Sequence, residues 1–168
     1  MNIYFDTEFT GLTSEPRLIS IGMVADNDME LYIELADGWT ESQCSPWVRE
    51  NVLPLLGRIE PQSRPEAAAK IASWVATVDP HAALIADSDW DVALLNMLLD
   101  DAYAKGQPRH PLKLVKFGSR VQAVLFESEK STYFAENAAP QHHALIDAKA
   151  MRQACRRLFI DPAESDKP

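Results

Sequence analysis

Two carboxylates two positions apart, Asp6 and Glu8, are the residues whose types and spacing first suggest chemistry. They lie in the run from Asn2 to Phe9, which is rich in β-forming residues and is followed by a Thr-Gly turn signal. Because side chains alternate between the faces of a strand, both acids project from the same face. On a core strand they would repel each other unless a proton or a cation lay between them. A solvent-exposed edge strand could carry the same pair without any chemistry, so both interpretations stand at this point.

Two further acids fall on the apolar faces of predicted helices. Asp91 precedes Leu94 and Leu95 by three and four residues, in a helix that Asp89 can cap. The helix dipole also favours an acid near a helix N-terminus, which leaves a purely structural explanation for Asp91 open. Asp147 is expected a full turn or more inside the last helix, where the dipole does not explain it. A buried charge is costly without a partner, so Asp147 predicts one.

Several carboxylates in one site are the oxygen ligands that Mg²⁺ and Mn²⁺ prefer. His142 stands five residues before Asp147, at or just before the start of the last helix, where its ring can reach solvent and substrate. A neutral histidine near pH 7 can take a proton from an attacking water. His143 competes for this role, and the residues alone do not separate the two. A histidine pair before a helix is also common as a plain surface feature.

Composition restricts the class of protein. The 168 residues, 46% of them hydrophobic, suit one globular domain with a substantial core. No stretch approaches the roughly 20 apolar residues that span a bilayer, and no secretory signal is visible. Cys44 and Cys155 lack metal-binding or redox spacing, which favours packing residues in a reduced cytoplasm. We therefore expect a cytoplasmic protein without a membrane partner, with a single domain over residues 1–162 and a flexible tail over 163–168.

The charge of the chain is unevenly distributed. Its formal net charge of −9 argues at first against a nucleic-acid partner. However, residues 1–101 hold 18 acids and 5 bases, whereas residues 102–168 hold 7 acids and 11 bases. The basic residues concentrate in two runs without acids, 102–126 and 148–160. Such runs are usually solvated faces, but beside an acidic centre they could also hold phosphates.

The order of the predicted elements indicates a mixed α/β fold. Three strands come first, at about 2–8, 18–24 and 29–35, and helices and strands then alternate. The later elements are expected as a helix at 46–53, a helix from 65, a strand at 82–86, a helix from 89, a strand at 112–117, a helix at 121–126 and a last helix after Pro140. This pattern predicts a mixed central β-sheet flanked by α-helices.

Three separated motifs together resemble a known family. They are Asp6-x-Glu8, Trp90-Asp91 at the start of an apolar helix, and His142-x-Ala144-x-x-Asp147-Ala148. In this order and spacing they resemble the DEDDh 3′–5′ exonucleases of the ribonuclease H-like superfamily, over about residues 2–158. Further strings look most like the small standalone exoribonucleases of the mycobacterial type, namely Asp6-Thr7-Glu8-Phe9, Leu18-Ile19-Ser20-Ile21-Gly22, Trp47-Val48-Arg49 and Val52-Leu53-Pro54.

This resemblance implies a ribonuclease H-like fold and a metal-dependent 3′–5′ exoribonuclease that acts on RNA 3′ ends and releases nucleoside 5′-monophosphates. It also implies a homodimer. Two Mg²⁺ or Mn²⁺ ions would be held by four acids, Asp6, Glu8, Asp91 and Asp147. The family spacing selects His142 over His143 as the general base, and Glu8 is counted with it as catalytic. Substrate contacts are implied for Thr7, Phe9, Leu12 and Trp90. Trp90 replaces the usual phenylalanine, and we interpret it as core or pocket wall, with core favoured.

Two other functions remain open. One is a 3′–5′ DNA exonuclease of the proofreading or repair type, acting on single-stranded DNA, and the other is a non-catalytic nucleic-acid-binding module. Discrimination between RNA and DNA rests on contacts to the 2′-hydroxyl, for which Glu8 is the candidate acceptor. The asparagine that the family commonly has before the second aspartate is not evident in the stretch Ala86-Asp87-Ser88-Asp89.

Overall fold

A computed structural model describes residues 1–104 and 109–160 of the protein, with the backbone alone described for 101–104. Its strands are β1 (Asn2–Phe9), β2 (Leu18–Ala25), β3 (Glu30–Glu34), β4 (Ala83–Ala86) and β5 (Leu112–Leu114). Its helices are α1 (Pro46–Asn51), α2 (Arg64–Val78), α3 (Asp89–Ala104), α4 (Arg120–Asn137) and α5 (Ala144–Arg157). The predicted domain end at residue 162 and the predicted tail over 163–168 lie outside the described residues.

The five strands form one mixed sheet in the order β3-β2-β1-β4-β5. The pairs β1–β2 and β2–β3 are antiparallel, whereas β1–β4 and β4–β5 are parallel. The predicted mixed α/β sheet is therefore confirmed, with β1 at its centre. Because parallel strands end at the same edge of a sheet, the carboxyl ends of β1 and β4 bring the residues that follow them together.

Alternation along β1 assigns its side chains to two cores. Ile3 and Phe5 belong to the core that includes Ile71 of α2 and Leu95 of α3. Tyr4, on the opposite face, belongs to the core that includes Phe126 of α4, Met151 of α5 and other residues of these helices. Asp6 and Glu8 continue the face of Tyr4, so the strand period directs both carboxylates toward the side of the sheet that α4 and α5 cover.

Close approach of α5 to the sheet depends on Gly22. This residue of β2 pairs directly with Asp6 of β1. A Cβ atom at position 22 would overlap the backbone of Leu145 and the adjoining carbonyl carbon of Ala144, in the first turn of α5. The absence of a side chain therefore lets the start of α5 lie against the strand beside Asp6.

The predicted boundaries of α4 are wrong. We expected a helix at 121–126, but α4 begins at Arg120 and continues to Asn137. Its second half is mostly polar and contains no fully buried residue, so hydrophobic periodicity gives no helix signal there. Tertiary ion pairs hold that half to α5 instead, because Arg157 contacts Glu129 at 3.0 Å and Glu136 at 3.1 Å. Smaller differences are found at β5 and α1, which end three and two residues before the predicted positions.

The second basic run attaches α5 to its neighbours. Lys149 lies 2.7 Å from Glu30 of β3, and Arg152 lies 2.7 Å from Asp28 in the turn before that strand. Arg157 contacts two acids of α4 as described above. The basic side chains of residues 148–160 therefore already have carboxylate partners, and the expectation that this run could hold phosphates stays a prediction. Lys105, in the first run, lies outside the described residues.

Candidate metal centre

The structure brings the four predicted acids together at the carboxyl end of β1. One carboxylate oxygen each from Asp6, Glu8 and Asp147 lies within 4.8 Å of the other two. A second group with the same spacing contains Asp6, Asp91 and Asp87. Asp6 belongs to both groups, so the five carboxylates form two adjacent groups that share one residue, each with the spacing to hold a cation. We call these five residues the carboxylate cluster.

Burial and mutual repulsion hold the cluster partly protonated when no cation is present. Desolvation, followed by the neighbouring acids, raises the pKa of Asp6 well above its usual value and that of Glu8 to about 9. Burial also raises the pKa values of Asp91 and Asp147 to about 7. A hydrogen bond from Thr7 opposes the change at Asp91, and one from the backbone of His142 opposes it at Asp147.

Backbone donors orient two of the acids. The amide N–H and the hydroxyl of Thr7 both donate to Oδ1 of Asp91, the amide over 3.1 Å. The amide N–H of His142 donates to Oδ2 of Asp147 over 2.9 Å. Thr7 is buried and its hydroxyl donates its hydrogen bond to Asp91. The contact of Thr7 with substrate stays a prediction.

Asp147 offers the clearest test of whether a cation fits. Its Oδ1 atom is buried and has no hydrogen-bond partner among the described residues, although it lies beside other carboxylates. A buried acceptor in this condition is costly unless a cation or a proton satisfies it. Hard oxygen donors from several acids, within reach of one another, are the donor set that Mg²⁺ and Mn²⁺ take. The residues therefore fit divalent cations.

The helix position of Asp147 differs from the prediction. We placed this residue a full turn or more inside its helix, but α5 begins at Ala144 and Asp147 lies in the first turn. The helix dipole therefore stabilises the carboxylate of Asp147, and the prediction that the dipole does not explain an acid at this position is wrong. Its unpartnered oxygen and its neighbours, rather than its depth in the helix, now indicate a cation.

The two histidines have different surroundings. His142 has a φ of 65° and places its ring 4.6 Å from that of Trp47, edge to face, beside Asp6 and Asp147. Burial lowers its pKa, so its imidazole is neutral near pH 7 and can accept a proton. His143 occupies the N-cap position of α5 and stacks on Tyr32 of β3 at 4.4 Å.

Two cavities open on the carboxylate cluster. The first, which we call the apolar pocket, has a volume of about 540 Å³ and is lined by Glu8, Phe9, Gly11, Leu12, Ser45, Trp47 and Val48. The second, which we call the acidic cleft, has a volume of about 250 Å³ and is lined by Asp6, Asp87, Glu127, Lys130, Ser131, Phe134, Gln141, His142 and Asp147. Since Glu8 lies within 4.8 Å of Asp6 and Asp147, the two cavities meet at the cluster.

The predicted substrate-contact residues differ in exposure. Leu12 is 77% exposed and, with Phe9, lines the apolar pocket. Trp90 is 41% exposed and packs against Phe9, with ring centres 6.3 Å apart. The interpretation of Trp90 as a core residue is therefore wrong, because its ring lies on the surface next to Phe9.

Sequence reasoning missed three residues of the site. Asp87 follows β4 directly. Because β4 is parallel to β1, an acid at the carboxyl end of β4 could have been predicted to lie near Asp6 and Glu8. Lys130 reaches the acidic cleft from the half of α4 that was not predicted. Trp47, in α1, lines the apolar pocket and is 50% exposed. No pattern in the sequence around Trp47 predicts that its ring is exposed.

No protein-family model matches the sequence, and a comparison with curated proteins found no match. Among solved structures, that of S. pombe Pop2p in its Mg²⁺- and Mn²⁺-bound form is similar, with a TM-score of 0.59 and 15% sequence identity. The match covers 94% of this chain and 80% of Pop2p. The fold is ribonuclease H-like. At this identity the likeness concerns the fold, and the narrower resemblance to the mycobacterial-type enzymes stays a prediction.

The described part of the chain contains no helix that is long and apolar enough to cross a membrane.

Proposed function

We propose that the protein is a metal-dependent 3′–5′ exonuclease that hydrolyses RNA and releases nucleoside 5′-monophosphates. The observation that carries this proposal is the meeting of Asp6, Glu8, Asp91 and Asp147, from three distant elements, in one buried cluster. Such a cluster is electrostatically unfavourable without cations, and two cation sites with a common ligand suit phosphodiester hydrolysis. Pop2p, which has the same fold, was solved with Mg²⁺ and Mn²⁺ bound.

Two Mg²⁺ or Mn²⁺ ions would be held by the carboxylate cluster. Asp6, Glu8 and Asp147 would hold one ion, and Asp6 and Asp91, with Asp87 beside them, would hold the other. When bound, such ions polarise the scissile phosphate, lower the pKa of water and stabilise the leaving 3′ oxygen. The protein contributes fixed ligand oxygens, which Thr7 and the amide of His142 keep in place.

His142 would act as the general base. Its imidazole lines the acidic cleft beside Asp6 and Asp147, and burial keeps it neutral at physiological pH. A neutral imidazole in this position can accept the proton of the attacking water at one of its ring nitrogens. Trp47 packs against the ring and restricts its orientation.

The apolar pocket would take the 3′-terminal nucleoside. Phe9, Leu12 and Trp47 offer flat or apolar surface on which a base can pack. Glu8 lines this pocket and also belongs to the carboxylate cluster, so a nucleoside held there would present the phosphodiester on its 5′ side to the cluster. The same carboxylate can accept a hydrogen bond from a ribose hydroxyl, which is the contact that would favour RNA over DNA.

We further propose that the protein is a homodimer in a reducing cytoplasm. Val121 and Val124 of α4 are 68% and 65% exposed, and with Leu125 they form an apolar face at helical spacing. A second copy could cover this face. Light scattering of a Val124→Glu variant tests the proposal: we expect a monomer from the variant and a dimer from the wild type, and a monomeric wild type would contradict it.

A time course on matched 5′-labelled RNA and DNA oligomers tests the proposed function. We expect stepwise shortening of RNA from the 3′ end with Mn²⁺ or Mg²⁺, no reaction in EDTA, and slower reaction of DNA. Equal or faster loss of DNA would instead support the 3′–5′ DNA exonuclease. Binding without any cleavage, by a protein shown to bind metal, would support the non-catalytic nucleic-acid-binding module.

A further inference from the structure

Lys130 of α4 places a positive charge inside the acidic cleft. Its ammonium nitrogen lies 2.6 Å from Oδ2 of Asp87 and 3.3 Å from a carboxylate oxygen of Glu127. It also lies 5.3 Å from the ring centre of Phe126. The Lys130 and Asp87 side chains are only 20% and 16% exposed, so this pair is far from an ordinary solvated surface contact.

This lysine acts electrostatically on the carboxylate cluster. Its ammonium lies 2.6 Å from Asp87, which is grouped with Asp6 and Asp91, and its charge opposes the rise in the pKa values of Asp91 and Asp147 that burial causes. Among the described residues that line the acidic cleft, Lys130 alone carries a permanent positive charge. The other ionisable residues there are four carboxylates and the neutral His142. An anion that enters the cleft therefore meets repulsion from every side except that of the lysine and any bound cations.

The arrangement of the two cavities indicates which anion enters. A 3′-terminal nucleoside in the apolar pocket places its phosphodiester at the carboxylate cluster, and the acidic cleft lies on the far side of Asp6 and Asp147. Phosphate oxygens that project beyond the cluster then face Lys130, with the side-chain amide of Gln141 as a further donor in the same cleft. A lysine ammonium is a common phosphate ligand.

We propose, on the basis of the proposed function, that Lys130 binds a phosphate of the RNA substrate in the acidic cleft and that Asp87 is the positioning residue that holds its ammonium there. Asp87 also belongs to the carboxylate cluster, as one of the three acids grouped with Asp6 and Asp91. Contact with Phe126 and the pair with Asp87 restrict the side chain before substrate arrives, so little rotamer freedom remains to be lost on binding.

The test measures RNA binding separately from catalysis. A short 5′-labelled single-stranded RNA is titrated with Ca²⁺ in place of Mn²⁺, to hold it uncleaved, over about 50 to 200 mM salt. The variants are Lys130→Met, Lys130→Arg and the double variant Asp87→Asn/Lys130→Met, which removes both charges and leaves no unpaired buried acid. Lys149→Met is the matched control, because this lysine pairs with Glu30 away from the cleft and its loss changes the net charge equally.

We expect Lys130→Met and the double variant to weaken RNA binding roughly tenfold, since a charge-assisted contact is lost. The slope of log K against log salt should shrink by about 0.7, the value for one phosphate contact on a single strand. Lys130→Arg should recover most of the binding, and Lys149→Met should behave as the wild type. The increase in melting temperature with Mn²⁺ should persist in Lys130→Met, Lys130→Arg and Lys149→Met, which keep all five acids of the carboxylate cluster, and should be smaller in the double variant, which lacks Asp87.

The proposal is overturned if the double variant binds RNA as tightly as Lys149→Met does, or loses affinity without a change in salt slope. If the wild type cleaves RNA in that case, the proposed function stands and only the role of Lys130 is wrong. If the wild type neither binds nor cleaves RNA with metal present, both the proposed function and the role of Lys130 are wrong.

Discussion

Asp147 shows how one residue can couple metal binding to the stability of the fold. One of its oxygens accepts the amide N–H of His142, and the other is buried without a hydrogen-bond partner among the described residues. The second oxygen contributes to the repulsion within the cluster when no cation is bound. This oxygen therefore destabilises the metal-free protein for the same reason that it can bind a cation: it is a buried negative charge without a partner.

Replacement of Asp147 by asparagine should abolish Mn²⁺-dependent turnover while the fold persists. Asparagine keeps the acceptor for the amide of His142 but removes a negative charge from the crowded cluster. We therefore expect the melting temperature in EDTA near pH 8 to equal or exceed that of the wild type, and the increase on adding Mn²⁺ to shrink. Calorimetry with and without Mn²⁺, beside a nuclease assay, measures both effects. Retention of most activity in the variant would show that Asp147 is not a ligand.

The two neighbouring histidines should respond differently to truncation. His142→Ala should lower kcat by about 10²–10⁴-fold, the usual contribution of a general base, and leave Mn²⁺ binding intact. His143→Ala should mainly lower the melting temperature, because the ring of His143 packs against Tyr32 rather than lining the acidic cleft. Single-turnover assays and thermal melts of both variants check this. A larger loss of kcat in His143→Ala would reverse the assignment.

Single residues of the site were predictable to different degrees. The strand period placed Asp6 and Glu8 on one face correctly, because alternation depends on the backbone alone. Asp87 escaped notice because it stands in a loop, where no periodicity applies, and only the parallel pairing of β4 with β1 brings it to the cluster. The exposure of Trp90 was also missed, since an aromatic residue in an apolar helix resembles core until its neighbours are known.

At the level of secondary-structure elements, the position of α5 decides whether the centre exists. This helix supplies Asp147 and follows His142, and it reaches the sheet only because Gly22 has no side chain. Ion pairs from Lys149 and Arg152 to Glu30 and Asp28 then hold its outer face.

A methyl group at position 22 should separate α5 from β2. Because the added Cβ of Gly22→Ala overlaps the backbone of Leu145, the helix must shift and Asp147 must move away from Asp6. We expect a lower melting temperature and weakened Mn²⁺ binding. Gly118→Ala is the matched control, because the nearest atom to its Cβ is a side-chain oxygen of Gln122 at 3.5 Å, an ordinary contact. Equal Mn²⁺ affinities in titration calorimetry of the two variants would contradict this account.

Helix α4 shows why elements are harder to predict than residues. The sequence gives a clear apolar pattern only up to Phe126, and beyond it the chain looks like a polar loop. The helix continues to Asn137 because Arg157 of α5 and Asp87 after β4 supply partners for its charged residues. Those partners are distant in sequence, so no local pattern contains this information.

At the scale of the whole molecule, the carboxylate cluster makes stability depend on pH. The pKa of Glu8 is raised to about 9 and those of Asp91 and Asp147 to about 7, whereas the unfolded chain ionises near its usual values of about 4. Between these limits the folded protein binds more protons than the unfolded chain does. The free energy of unfolding without metal must therefore fall as pH rises from about 4 to about 9.

Thermal melts in EDTA across this range should show that decline, and Mn²⁺ should offset it. The increase in melting temperature on adding Mn²⁺ should be larger near pH 8 than near pH 5, because protons compete with the metal for the same oxygens at low pH. The decline should be weaker in Asp147→Asn, which has one acid fewer in the cluster. A metal effect that is independent of pH would indicate binding elsewhere on this acidic protein.

The central claim is that acids from β1, α3 and α5 form one divalent-cation centre. Crystals soaked in Mn²⁺ and measured at a wavelength where manganese scatters anomalously test this claim most directly. We expect two anomalous peaks, one in contact with Asp6, Glu8 and Asp147 and the other in contact with Asp6 and Asp91. The absence of a peak at these carboxylates in Mn²⁺-saturated crystals, with manganese bound only elsewhere on the surface, would contradict the account.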